Sequence, residues 1–158
     1  MVSCRLRLWL SAGDLAAAIR WADASGLSTD DELNYHHDLH HINLARVLVA
    51  RGVREPSGPY LDDALRLLDR LAVAAEMAGW VDKEIRILIL RALALQAQDA
   101  RKVAVDALHR ALTLAQPEGY VRTFLDEGTP MAELLQAARA WAIAPEYVTR
   151  LLAALHTG

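Results

Sequence analysis

The residue types best suited to chemistry lie together in Tyr35-His36-His37-Asp38-Leu39-His40-His41. On a helix, His36/His40 and His37/His41 stand four apart. Each pair then shares a face, a spacing at which two imidazoles hold Zn2+, Ni2+ or Cu2+. Asp38 adds a carboxylate. A metal centre needs three or four converging ligands, and one helical turn rarely supplies them without another element. His109 and His156 stand alone, and Cys4 is the single cysteine. The ordinary counterpart of the pattern is a solvated helix face, which the sequence favours. His36, His37, His40 and His41 remain weak metal candidates, and no catalytic or cofactor-binding residue is assigned.

A second cluster is acidic and aromatic. Arg122 and Asp126 are four apart on a short predicted helix, with Glu118, Tyr120 and Glu127 close by in sequence. Such a group either meets a partner or forms exposed ion pairs worth a few tenths of a kcal/mol each. Cys4 has no neighbouring His or helix start to lower its pKa, and reads as a packing residue. The phosphate-loop pattern G-x-x-x-x-G-K-[ST] does not occur, nor do G-x-G-x-x-G, G-x-S-x-G, H-E-x-x-H or C-x-x-C.

The elements that would position these residues are helical. The 158 residues include 29 Ala and 27 Leu against 10 Val, 6 Ile and 6% aromatics, so the strongest helix formers dominate. Turn signals divide the chain into predicted helices over 3–11, 14–25, 31–52, 60–78, 81–98, 100–116, 121–127, 130–143 and 146–156. Gly52 and the Glu55-Pro56-Ser57-Gly58-Pro59 stretch are read as ending the third. In the fourth, Leu61, Ala64, Leu65, Leu68, Leu71, Ala72 and Ala75 form one apolar stripe. The fifth is apolar around more of its circumference, which implies burial between neighbours. Trp9, Trp21, Trp80 and Tyr120 fall within helices or at their junctions, as wedges between repeats would.

A repeat runs through these helices. Aligning Asp63–Val81 with Val103–Val121, an offset of 40, pairs Ala64 with Ala104, Leu68 with Leu108, Arg70 with Arg110, Ala75 with Ala115 and Gly79 with Gly119. Ala22 and Gly26 fit the same frame. A small residue permits close helix approach, and a glycine past the helix end can take positive φ. Helix pairs at this spacing predict an all-α, tetratricopeptide-like α-solenoid of antiparallel helix pairs. The expected organisation is one domain over 1–158, with pairs at about 3–25, 31–78 and 81–116 and closing helices over 121–156.

Charge limits the partners. Seventeen basic against twenty acidic side chains give a net charge of −3, without the basic excess that phosphate binding needs. Residues 130–156 read as helix, turn, helix, but their Arg139 and Arg150 are balanced by Glu133 and Glu146. No direct nucleic-acid contact is expected. The apolar run Ile85–Leu95 holds Arg86 and Arg91 and is too short for a membrane span. The start, Met1–Leu10, lacks a signal-peptide layout. The expected setting is cytoplasmic.

The run from Ala111 to Leu135, containing Gly119-Tyr120-Val121-Arg122-Thr123-Phe124-Leu125-Asp126-Glu127-Gly128-Thr129-Pro130, resembles a signature stretch of the MalT-like, LuxR-family transcriptional activators. The segments Leu8–Trp21, Leu44–Gly52, Glu84–Gln98 and Tyr147–Leu155 are similar to that family in the same order. The resemblance implies a tetratricopeptide-like sensor region. It places ATP binding in an N-terminal domain of the parent and DNA binding in a helix-turn-helix expected about where the chain stops. It further implies contacts with the parent's other domains, an inducer or protein on the concave face, and self-association. The alternative is a purely structural repeat scaffold. The histidine cluster is not part of the resemblance.

Overall fold

The computed structural model describes residues 13–27, 38–125, 127 and 129–157. Among these the helices are α1 (Leu15–Ser25), α2 (Asp38–Arg54), α3 (Tyr60–Ala78), α4 (Val81–Ala97), α5 (Arg101–Ala115), α6 (Arg122–Leu125), α7 (Thr129–Ala140) and α8 (Pro145–Thr157), with a 3-10 turn over Gln116–Glu118. The predicted helix 3–11 and the start of the predicted helix 31–52 lie outside the described residues.

Each helix packs on its chain neighbour within the pairs α2/α3, α4/α5 and α7/α8, and α3 packs on α4. The first helices of successive pairs also touch, α2 with α4 and α4 with α7. This is the all-α, tetratricopeptide-like stack that the repeat implied. One core runs from Ile42 to Leu152, and a smaller one joins Leu15 and Ala18 of α1 to Val47 of α2. The α4 helix is buried on most sides, through Ile85, Ile87, Leu88, Ile89, Leu90 and Leu93. It is the predicted all-round apolar helix, and it lies against α2, α3, α5 and α7. In α3 the buried stripe contains the predicted Leu61, Ala64, Leu68, Leu71 and Ala75, and gains Leu67.

The repeated Ala-x-x-x-Gly ends have a hydrogen-bond explanation. At the end of α3, Gly79 takes φ 73°, its N–H donates to the Glu76 carbonyl at 3.2 Å, and the Trp80 N–H donates to the Ala75 carbonyl at 3.0 Å. Forty residues on, Gly119 takes φ 67°, and the Tyr120 N–H donates to the Ala115 carbonyl at 3.3 Å. The alanine supplies the carbonyl and the glycine the left-handed turn. The end of α1 differs: Gly26 has φ 73°, but the Leu27 N–H donates to the Ser25 hydroxyl at 3.2 Å.

Two of the boundaries that differ from expectation have a local cause. Gly52 does not stop its helix, which continues to Arg54. A Cβ on Gly52 would lie 2.4 Å from Leu61 Cγ, so this glycine allows α2 and α3 to approach. The helix predicted to reach 143 ends at Ala140, because Ala142 and Ala144 take φ 56° and 40°.

Candidate ligand groove and the residues around it

The first helices of the pairs define an inner face. On α2, Arg46, Val49, Ala50, Val53 and Arg54 recur at three- and four-residue spacing and so share one side. On α4, Leu90, Leu93 and Ala97 do the same. With Pro130 and Glu133 of α7 they line a groove of about 580 Å3, floored mainly by apolar side chains. That size and character suit a small ligand.

The groove's polar groups come from distant parts of the chain. Arg46 Nη1 lies 2.8 Å from Glu127 Oε1 and 3.0 Å from its Oε2. Both side chains are nearly enclosed, at 12% and 8% exposure. Gln96 Nε2 donates to Glu133 Oε2 at 3.4 Å, and Arg54 Nη2 to the Gly13 carbonyl at 3.5 Å.

The other side of α4 carries a second charged seam. At 100° per residue, Glu84, Leu88 and Arg91 fall on the face opposite Leu90, Leu93 and Ala97. Arg110 of α5 reaches Glu76 of α3 and Glu84 of α4, each at 3.2 Å, and Arg91 meets Asp69 at 3.2 Å. These residues border a smaller pocket of about 260 Å3.

Of the sequence-derived candidates, those among the described residues lie in different parts of the structure. His36 and His37 lie outside the described residues. His40 is exposed, whereas His41 is buried. The solvated-face expectation is therefore corrected for His41, since adjacent residues on a helix point 100° apart. No group of three or more His, Cys, Asp or Glu placed to hold a metal occurs among the described residues.

The described members of the second cluster lie in different surroundings. Glu118 is exposed on the 3-10 turn, and Asp126 and the Arg122 side chain lie outside what is described. Glu127 meets Arg46 of α2, and the pair is nearly enclosed. Tyr120 packs on the main core, and its hydroxyl donates to Asp82 Oδ1. That hydrogen bond, with some burial, pushes the Tyr120 phenol above its ordinary pKa. Tyr147 donates to the Tyr120 carbonyl and meets Phe124 edge-on at 6.2 Å between ring centres. Burial raises the Tyr147 pKa. Tyr120 thus ties α8 to the start of α4. Trp80 stands at the α3–α4 junction, with Lys83 Nζ 4.1 Å from its ring centre. Trp21 packs on the small α1–α2 core. Cys4 and Trp9 lie outside the described residues.

Residues 1–140 match the family described as the MalT-like TPR region. The chain belongs to that family. The match spans α1 to α7, and with them every element that lines the groove of this MalT-like TPR region. No curated protein and no solved structure gives a significant match. No helix among the described residues is long and apolar enough to cross a membrane.

Sequence reasoning missed Arg46, Leu93, Gln96 and Glu133. They come from three helices, α2, α4 and α7, so no single local spacing unites them. A usable signal was the three–four pattern Arg46, Val49, Ala50, Val53 and Arg54, in which arginines bracket an apolar run.

Proposed function

We propose that the chain is a non-catalytic ligand-sensing and protein-interaction module of a cytoplasmic, MalT-like LuxR-family transcriptional activator. An inducer or protein ligand occupies the inner groove. Its binding shifts the parent between a resting and an assembly-competent arrangement, and so regulates self-association and promoter binding. ATP binding and DNA binding belong to other domains of the parent. The observation that carries this reading is the apolar groove of about 580 Å3 formed by α2, α4 and α7 within a MalT-like TPR region.

The test is made in the full-length parent. Leu93→Trp fills the groove, and a surface substitution such as Lys102→Gln serves as control. Reporter transcription and calorimetric inducer binding are expected to fall in the first and stay at wild-type level in the second. Undiminished induction by folded Leu93→Trp protein would sink the sensor role.

A second reading, a structural scaffold for self-association, draws on exposed apolar side chains. Val73 and Met77 of α3 are 57% and 85% exposed, and Trp141 is 48% exposed. Light scattering decides: a ligand-independent dimer broken by Met77→Glu favours the scaffold, and a monomer disposes of it.

A further inference from the structure

Among the described residues, the Arg46–Glu127 pair engages one nitrogen of the Arg46 guanidinium. Both hydrogen bonds to Glu127 leave from Nη1. Among the described residues, Nε and Nη2 of Arg46 have no partner. The side chain is only 12% exposed, and it lines the groove. A guanidinium is planar, and its forked N–H groups match a carboxylate or phosphate with two parallel hydrogen bonds. Here Glu127 meets one nitrogen with both of its oxygens, so the fork stays open to a second anion.

We propose that Arg46 is the anion-binding residue of the inner groove, taking the carboxylate or phosphate of a small organic ligand whose apolar body lies along Val49, Leu90 and Leu93. This rests on the groove being the ligand site. Around it, Arg46 and Arg54 are offset by Glu127 and Glu133. An incoming anion therefore shares Arg46 with Glu127, whose like charge repels it and so sets how tightly an acidic ligand is held.

Binding of hexanoate, hexyl phosphate and neutral hexanol to the full chain, followed by NMR titration at constant ionic strength, tests this. At least one anion is expected to bind about 10-fold more tightly than hexanol, the scale of a charge-assisted bidentate pair. The preferred probe tells carboxylate from phosphate. Glu127→Gln keeps the shape, removes the repelling charge, and is expected to tighten the anion several-fold while leaving hexanol unchanged. Arg46→Met combined with Glu127→Gln leaves no orphaned charge and is expected to reduce the anions to the level of hexanol. Hexanol binding in the groove with no anion preference, in wild type and in Glu127→Gln, would overturn the anion site and leave the groove reading standing. Probes that bind Leu93→Trp as well as wild type would overturn both.

Discussion

Arg46 and Arg110 each bind carboxylates from other parts of the chain, but on opposite sides of α4. Arg46 faces the inner groove, where a single carboxylate and nearly complete enclosure surround it. Arg110 is 53% exposed and is shared between Glu76, itself 62% exposed, and Glu84, at 9%. The same ionic chemistry thus does different work. At the seam, water screens the charges, and the arginine joins α3, α4 and α5 as an adaptable brace. In the groove, an enclosed pair spanning 81 residues fastens the α6–α7 connection onto α2.

The largest expected effect comes from breaking the enclosed pair. Arg46→Ala strands the Glu127 carboxylate out of water, and urea unfolding is expected to show a loss of about 3 kcal/mol. Adding Glu127→Ala should restore much of it. A single-mutant loss below about 1 kcal/mol would mean that the pair is solvated and the contrast false.

Arg110→Ala is expected to cost less, about 1 kcal/mol. Glu84 keeps a buried position without its partner, but a half-exposed arginine is discounted for screening. Salt separates the two sites further. Between 0.1 and 1 M NaCl the screening length falls from about 10 to about 3 Å, so the Arg110→Ala penalty should shrink while that of Arg46→Ala persists. Equal salt sensitivity would erase the distinction. The smallest effect is expected for Glu76→Gln, a few tenths of a kcal/mol, because both partners are exposed.

The helical stack was legible because its requirements are local. Positive φ after Ala75 and Ala115 calls for glycine, so Gly79 and Gly119 betray the repeat. The same closure is made without glycine at Asp99, where the Ala100 N–H donates to the Leu95 carbonyl at 2.9 Å, and at Ala142, where the Ile143 N–H donates to the Ala138 carbonyl at 2.9 Å. There the end of α7 was overextended, since alanine ordinarily continues a helix. Gly52 misled in the opposite sense, because glycine marks close helix approach as well as helix ends.

The groove was not legible because its chemistry is long-range. Glu127 stood in sequence beside Arg122 and Asp126, and helical spacing weighs only near neighbours. Its actual partner, Arg46, was one of three arginines in a distant helix. Only packing of α2 against α4, and α4 against α7, places them together. The histidine cluster reads as a solvated face, yet of its described members His40 is exposed while His41 is buried, a difference that helical rotation between adjacent residues produces.

The most direct test of the inner face as the ligand site is amide chemical-shift mapping on the full chain with hits from a fragment library. Perturbations are expected to concentrate at Arg46, Val49 and Ala50 of α2 and at Leu90 and Leu93 of α4. Perturbations confined to Asp69, Val73, Glu84 and Arg110 on the opposite side of α4 would contradict it.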